Sequence, residues 1–264
     1  MARDGSRLEV LGLFYLHVNN TGWVRGEETG VDAGKDNLTE VSTDQGVAEM
    51  TSNPAGPSRS AIILAGGMSS RFGVNKAFQT LAGKPLICHV AERLSNVVDE
   101  VLVVVGRDVP TIEYSAILPN SVRVINDEVD SKTPLVGIVS GLRSVRSDHV
   151  AVLACDIPFV KDSVLELLFQ RAINADAAIP RWKGGRIEPL EAVYRRARTL
   201  LAGEEALAHG GLSQREMINR LTRVVYVSVE DEVAVVDNGL RTFFNVNSRE
   251  DLAMAEKMIA GECP

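Results

Sequence analysis

Cysteine is scarce. Cys88, Cys155 and Cys263 stand far apart in 264 residues, without the spacing of a metal-binding knuckle or a disulfide scaffold. His17, His89, His149 and His209 form no pair at metal-ligand spacing either. Cations are outnumbered: 28 Lys and Arg face 35 Asp and Glu, for a net charge of −7. That balance excludes a general nucleic-acid binder or a ligand of anionic membranes, both of which need a cationic surface. Long apolar runs are absent, so nothing approaches the ~20 residues of a membrane helix. Residues 8–18 are the most apolar stretch near the start, but Gly12 and His17 interrupt them and no cleavage site follows. Free thiols and no secretory signal make the cytoplasm the expected location, where the sequons at Asn19 and Asn37 carry no sugar. What is plentiful is apolar content, 45%, enough for a buried core.

Residues 1–58 differ in texture from the rest. After Val18 they are rich in Gly, Asn, Thr, Asp and Glu and end in the breaker run Asn53-Pro-Ala-Gly-Pro-Ser. This reads as a disordered or weakly ordered extension, or as a start assigned too far upstream. From 59 to 264 the pattern is that of one folded domain. Short apolar runs at 61–65, 100–105, 121–125, 150–154, 175–179, 190–194 and 223–227 predict strands. Amphipathic stretches at 86–97, 137–145, 163–173, 213–221 and 248–259 predict helices. Ser213 with Glu216 forms a capping box, and Ser248 caps the last helix. Strands alternating with helices predict an α/β fold, a three-layer doubly wound, mostly parallel sheet. Such sheets bind ligands outside the carboxyl ends of their strands.

The first of those ends is Leu64-Ala-Gly-Gly-Met-Ser-Ser-Arg-Phe-Gly-Val-Asn-Lys76. Gly66 and Gly67 allow successive backbone N–H groups to converge on an anion. Arg71 and Lys76 add formal charge, and no Asp or Glu occurs from Ala61 to Ala91. The loop lacks the Gly-Lys-Ser/Thr ending of a P-loop and the Gly-x-Gly-x-x-Gly of a dinucleotide site. Two carboxylates follow later strands. Asp127 follows Asn126, and could equally form an Asx-turn. Asp156 lies in Cys155-Asp-Ile-Pro-Phe159 and suits Mg²⁺, a hard cation that accepts few protein oxygens. Cys155 beside it reads as a buried inert thiol, and His89 as a structural residue of its helix.

These segments resemble the sugar-nucleotide-type nucleotidyltransferases, whose signature is Leu-Ala-Gly-Gly-x-x-x-Arg-x-Gly-x-x-Lys. Within that group the chain is similar to the molybdenum cofactor guanylyltransferases. Cys155-Asp-Ile-Pro-Phe159 matches their Cys-Asp-Met-Pro-Phe, Glu188-Pro-Leu-Glu-Ala-Val-Tyr194 their Gln/Glu-Pro-Leu-x-Ala-x-Tyr, and Phe244-Asn-Val-Asn-Ser248 their Phe-Asn-Val-Asn-Thr. Pro134-Leu-Val-Gly137 matches a further element, with Thr133 in place of its usual glycine. The resemblance runs from about Ser60 to Ala260. It implies a Rossmann-like nucleotidyltransferase fold and the Mg²⁺-dependent transfer of GMP from GTP to molybdopterin or the molybdenum cofactor, releasing pyrophosphate. Molybdoenzymes would receive the product. By position it assigns the triphosphate to Leu64, Ala65, Gly66, Gly67, Arg71 and Lys76, the nucleotide to Asp127, and Mg²⁺ to Asp156. Glu188, Asn245 and Asn247 are weaker candidates for substrate contact. The alternatives are a surface carboxylate for Glu188 and turn formers for the asparagines. Trp182 and Lys183 form either a loop over the acceptor or a solvated turn. Transfer from CTP, transfer to a sugar, cobinamide or phospholactate, and nucleotide binding without turnover remain open on these residues.

Overall fold

A computed structural model describes residues 59–66, 75–128 and 133–262. The expected N-terminal extension, and Gly67 and Arg71 of the glycine loop, lie outside the described residues. The first described elements are β1 (Arg59–Leu64), a 3₁₀ turn at Lys76–Phe78, and a hairpin of β2 (Thr80–Leu81) and β3 (Lys84–Pro85). α1 (Leu86–Leu94), β4 (Glu100–Val105), α2 (Thr111–Ser115), β5 (Val122–Asn126) and α3 (Pro134–Ser144) follow. Then come β6 (His149–Ala154), α4 (Asp162–Ala172), β7 (Ala177–Arg181), β8 (Glu191–Arg195), α5 (Arg196–Ala208) and α6 (Gln214–Ile218). β9 (Val224–Ser228), a π turn with α7 (Ala234–Val236), a 3₁₀ turn (Arg241–Phe243) and α8 (Arg249–Ala260) complete it.

Seven strands form one sheet in the order β5-β4-β1-β6-β8-β7-β9. Only β8 runs against its neighbours, so the sheet is mostly parallel, as expected. Such a sheet is covered on both faces, which is why its strands are nearly continuous Val, Ile, Leu and Ala. On one face Ala61, Ile63, Val101, Val103, Ala151 and Leu153 pack against Val90 and Leu94 of α1 and Val164 and Leu168 of α4. On the other, Ile62, Leu102, Val104 and Val152 meet Leu135, Ile138 and Leu142 of α3, Ala202 and Ala206 of α5, and Met217 of α6. Alternate residues of each strand thus feed opposite cores, the period-two rule of a pleated strand.

The capping box at Ser213 and Glu216 is present, and Ser248 accepts a hydrogen bond from the Asp251 N–H at the head of α8. α5, the longest helix of the described residues, is not among the sequence expectations. It opens Arg196-Ala-Arg-Thr and carries Gly203 and paired glutamates, a composition that blurs the apolar stripe. Gly203 is there for closeness: a Cβ on it would stand 2.6 Å from Cγ2 of Val139 in α3.

The sheet reverses its winding at β1, which feeds β4 on one side while β6 closes the other. Leu64 pairs with Val104 and Ala154 in register, and Val105 with Asn126. The carboxyl ends of β1, β4, β5 and β6 therefore form one rim, at the topological switch point where an open α/β sheet takes its ligand.

Candidate active site

The glycine loop leaves the rim at Ala65 and re-enters the described chain at Asn75. Ala65 continues the ladder, its N–H donating to the Val104 carbonyl at 2.8 Å. Gly66 then runs so close to the neighbouring chain that a Cβ would meet the Gly106 nitrogen at 3.4 Å. Both ends of the loop are tied to one phenol. Tyr114 is fully buried. Its hydroxyl donates to the Ala65 carbonyl at 3.2 Å and accepts from Asn75 Nδ2 at 2.5 Å. Asn75 Oδ1 in turn accepts from the Ala77 N–H at 3.1 Å, capping the turn that carries Lys76. Burial pushes the Tyr114 hydroxyl up to about 12.

Lys76 is aimed across the rim. Its Nζ donates to Asp156 Oδ2 at 3.0 Å and to Asn247 Oδ1 at 2.5 Å. Lys76 and Asp156 keep side-chain exposures of 20% and 13%, so the pair is sheltered yet reachable by a ligand. Asp156 follows β6, and its backbone carbonyl accepts from the Val246 N–H at 2.9 Å. That bond pins the segment bearing Asn245 and Asn247 against the rim. Asn247 is held again by its own N–H, which donates to Asp251 Oδ2 at 2.9 Å. Behind it Val246 packs with Leu81, Leu86 and Ala255, joining the β2–β3 hairpin to α8.

Asp127 sits farther along the rim, its N–H on the Val105 carbonyl at 2.8 Å. Cβ atoms built on Gly66 and Gly137 would approach its carboxyl oxygens at 3.9 and 3.5 Å, so those two glycines flank it. Oδ1 is buried without a hydrogen-bond partner. Burial pushes the carboxyl up to about 6, opposed by a hydrogen bond from Ser140 and assisted by Glu128. The Asx-turn reading does not describe it, because this carboxyl points among the glycines instead of capping its own backbone. Asn126 does the local bracing, with Nδ2 on the Gly106 and Val109 carbonyls at 2.9 and 2.8 Å.

Cys155 and His89 behave as structural residues. Burial, with Asp156 next, pushes the Cys155 thiol up to about 12, far from a thiolate nucleophile. His89 Nε2 lies 2.9 Å from the Leu81 carbonyl and ties α1 to the hairpin.

On the β8 side, Trp182 Nε1 donates to Glu188 Oε1 at 2.6 Å, and Arg186 pairs with the same oxygen at 3.1 Å. Arg186 also lies over the Trp182 ring, whose neighbour is Phe243. Glu188 is thus the clasp of the 182–188 loop, not a bare surface carboxylate. Two residues that the sequence reading did not single out complete the rim. Tyr114 lies in α2, a five-residue helix that is not among the sequence expectations. Glu191 breaks an otherwise apolar strand, and that interruption was the available signal.

A bound magnesium can be tested against this donor set. The Lys76 ammonium already rests among Asp156 and Asn247 oxygens, so the pocket accepts positive charge and offers hard oxygen donors. Among the described residues no group of three His, Cys, Asp or Glu could hold a metal alone. Magnesium there would draw its remaining ligands from phosphates and water, as it commonly does.

The chain matches the family model of the MobA-like NTP transferase domain over residues 61–236. A probable molybdenum cofactor guanylyltransferase of Methanosarcina acetivorans is 39% identical over 214 residues, covering 78% of this chain and 93% of that protein. A molybdenum cofactor guanylyltransferase of Desulfosudis oleivorans is 36% identical over 200 residues, covering 75% and 94%. Among solved structures, the molybdopterin-guanine dinucleotide biosynthesis protein A of Archaeoglobus fulgidus superposes with a TM-score of 0.65 at 31% identity, covering 76% of this chain and 99% of that one. The 2-C-methyl-D-erythritol 4-phosphate cytidylyltransferase of Thermus thermophilus, at 19% identity and a TM-score of 0.56 over 76% and 98%, shares the fold. The chain belongs to the MobA-like NTP transferase family and is a nucleotidyltransferase with the Rossmann-like fold of that group.

Proposed function

We propose that this protein transfers GMP from GTP to the terminal phosphate of molybdopterin, free or carrying molybdenum, and releases pyrophosphate. The observation that carries the reading is the Lys76 ammonium bound to Asp156 and Asn247. It joins three segments distant in sequence at the one edge where such a sheet takes ligands. The names of the related proteins support guanine and the molybdenum cofactor as donor and acceptor chemistry.

In this reading the acceptor phosphate attacks the α-phosphorus of GTP. The new P–O bond forms as the bond to the bridging oxygen breaks, and pyrophosphate departs with that electron pair. The acceptor is already an anion at neutral pH, so no general base is required. The work lies in alignment and in neutralising charge. Lys76, Arg71 and the amides of Gly66 and Gly67 hold the triphosphate and stabilise the growing charge on pyrophosphate. Asp127 contacts the nucleotide from behind Gly66. Asp156, with Asn247 beside it, would hold Mg²⁺, which supplies further neutralisation of the phosphate oxygens. Glu188 and Asn245 lie on the acceptor side.

The test is pyrophosphate release by purified protein with Mg²⁺, molybdopterin and each of GTP, CTP, ATP and UTP, beside an Asp156→Ala control. Release with GTP alone, lost in the control, is the expected result. Release with CTP instead refutes the donor, and release only with another phosphorylated acceptor refutes the acceptor. Nucleotide binding with no release under any pairing refutes the reaction.

A further inference from the structure

The segment that carries Asn245 and Asn247 is tied to the chain after Asp156 at several points. The Val246 N–H donates to the Asp156 carbonyl at 2.9 Å. Phe244 meets the Phe159 ring edge-on, with centroids 5.9 Å apart. Farther out, the Lys161 N–H donates to Thr242 Oγ1 at 3.2 Å, and Ser163 Oγ to the Val236 carbonyl at 3.1 Å. These contacts run in opposite order along the two segments. They form one antiparallel seam, with Asp156 at its near end and Asp237 at its far end.

Asp237 is fully buried. Its N–H donates to the Val233 carbonyl at 2.8 Å as α7 ends, and its carbonyl accepts from the Leu240 N–H at 2.8 Å. Oδ2 accepts from the Thr242 N–H at 2.8 Å. Oδ1 lies 3.0 Å from the Lys161 ammonium, an ion pair not aligned as a hydrogen bond. One residue thus closes its own turn and reaches across the seam to Lys161, whose N–H holds Thr242. Inside the turn Leu240 stands at φ 47°, a left-handed conformation that a bulky side chain adopts only where its surroundings over-determine it. The bonds that Asp237 makes to Leu240 and Thr242 do that. Burial by itself would push the Asp237 carboxyl up, but the Thr242 N–H and then Lys161 hold it below the ordinary range. A buried carboxylate costs more than a neutral turn former. What it secures lies farther along the same segment, where Asn247 Oδ1 accepts from Lys76 Nζ at 2.5 Å.

We propose that Asp237 is a positioning residue that latches the 237–247 segment onto the chain after Asp156 and so sets how Asn247 and Asp156 together aim Lys76. The kinetic consequence rests on the part given to Lys76 in the proposed transfer; the latch does not.

Three variants of the full chain test it. Asp237→Ala removes the latch, Asp237→Asn keeps an oxygen for the Thr242 N–H, and Thr242→Val removes only the hydroxyl that holds the Lys161 N–H. The first measurement is amide hydrogen exchange. In Asp237→Ala the Val246 amide exchanges faster by about tenfold or more, the factor for one lost hydrogen bond to a charged group. The amides of Ile63 and Val103 in the sheet keep their rates, and Asp237→Asn recovers most of the protection. The second is steady-state transfer. Asp237→Ala lowers kcat by about tenfold with the GTP KM within about twofold, again by that bond's factor, and Asp237→Asn restores it. Thr242→Val moves both readouts the same way by less, and serves if Asp237→Ala does not fold. A Val246 amide at its wild-type rate in the variants overturns the proposal. So does equal acceleration of Val246, Ile63 and Val103, which is general loosening, and so does a freed Val246 with kcat unchanged. If the wild type transfers nothing to any phosphorylated acceptor, the functional reading fails, and the Val246 amide still decides whether Asp237 is the latch.

Discussion

Replacing Tyr114 by Phe removes one oxygen from a buried ring and tests how the glycine loop is anchored. The ring keeps its edge-on contact with Phe78, whose centroid lies 4.7 Å away, so no large cavity opens. What disappears is a hydroxyl with two hydrogen bonds, one to the Ala65 carbonyl and one from Asn75. At a net of about 1 kcal/mol each the loss is ~2 kcal/mol. For a domain of this size that lowers the melting temperature by about 4–8 °C. The functional effect follows from where those bonds lie. Ala65 is the last anchored residue before the loop, and Asn75 caps the turn that aims Lys76. Loosening both ends should raise the GTP KM several-fold, roughly the factor that ~1 kcal/mol of lost positioning gives, and leave the acceptor KM near wild type. Because the hydroxyl stays protonated up to about 12, the defect should be flat from pH 6 to 9. Differential scanning fluorimetry and initial rates with varied GTP read both effects. A melt within about 2 °C of wild type together with an unchanged GTP KM would refute the idea that this phenol holds the loop.

Three further outcomes follow from the packing and charge of the site and core. Lys76→Met should cut kcat/KM by about a hundredfold or more, as loss of a charge aimed at a developing anion does, while thermal stability moves by no more than ~1 kcal/mol, because the Lys76–Asp156 pair is partly open to solvent; a variant with normal turnover excludes Lys76 from the site. Asp127 has a folded pKa of about 6, above its ordinary 3.8, so its stabilising share is complete below the ordinary value and is lost as pH rises through 6. Asp127→Asn should therefore melt like wild type near pH 4 and above it at pH 7.5, and an unchanging gap across that range contradicts the burial argument. Gly141→Ala places a Cβ 2.7 Å from Ile62 Cδ1, forcing α3 off β1; despite Ala's better helix propensity, urea unfolding should show a net loss of ~1–2 kcal/mol, and a gain would mean Ile62 yields freely.

The fold was legible wherever one physical rule dominated. Ala61 to Leu64, Val101 to Val105 and Val150 to Leu153 are apolar on both faces because both faces are covered, and continuous runs bounded by Gly, Asp or His say so directly. α6 and α8 were legible from their caps, since Ser213 with Glu216 and Ser248 with Asp251 answer the open N–H groups of a first turn. α5 was not, because its packing depends on smallness. Gly203 and Ala206 let it lie against α3, and small residues are weak marks on a periodicity plot. The hairpin between β2 and β3 turns through Ala82 and Gly83, both at positive φ; glycine announces such a turn, whereas alanine does not.

The site divides along the same line. Lys76 and Asp156 are charged residues at the ends of apolar elements, and a charge there stands out in a sequence. Tyr114 and Glu191 are polar groups whose meaning depends on what lies beside them after folding. A tyrosine in Thr-Ile-Glu-Tyr-Ser carries no sign that its hydroxyl bridges Ala65 and Asn75, 49 and 39 residues away. Tyr114 braces the loop between β1 and Lys76, and Glu191 stands buried at the start of β8 with Oε2 lacking a partner. The switch point between β1 and β6 is what makes this division possible. Strands on one side supply the glycine loop and Asp127; on the other, the antiparallel β8 and the loop before it supply Glu191 and Glu188. In the proposed transfer, two phosphorylated substrates meet in line at one phosphorus atom. In that reading Asp156 stands between a glycine-loop side that holds the nucleotide and a β8 side that holds the acceptor, so a change confined to the Tyr114 brace should weaken GTP binding and leave the acceptor KM near wild type.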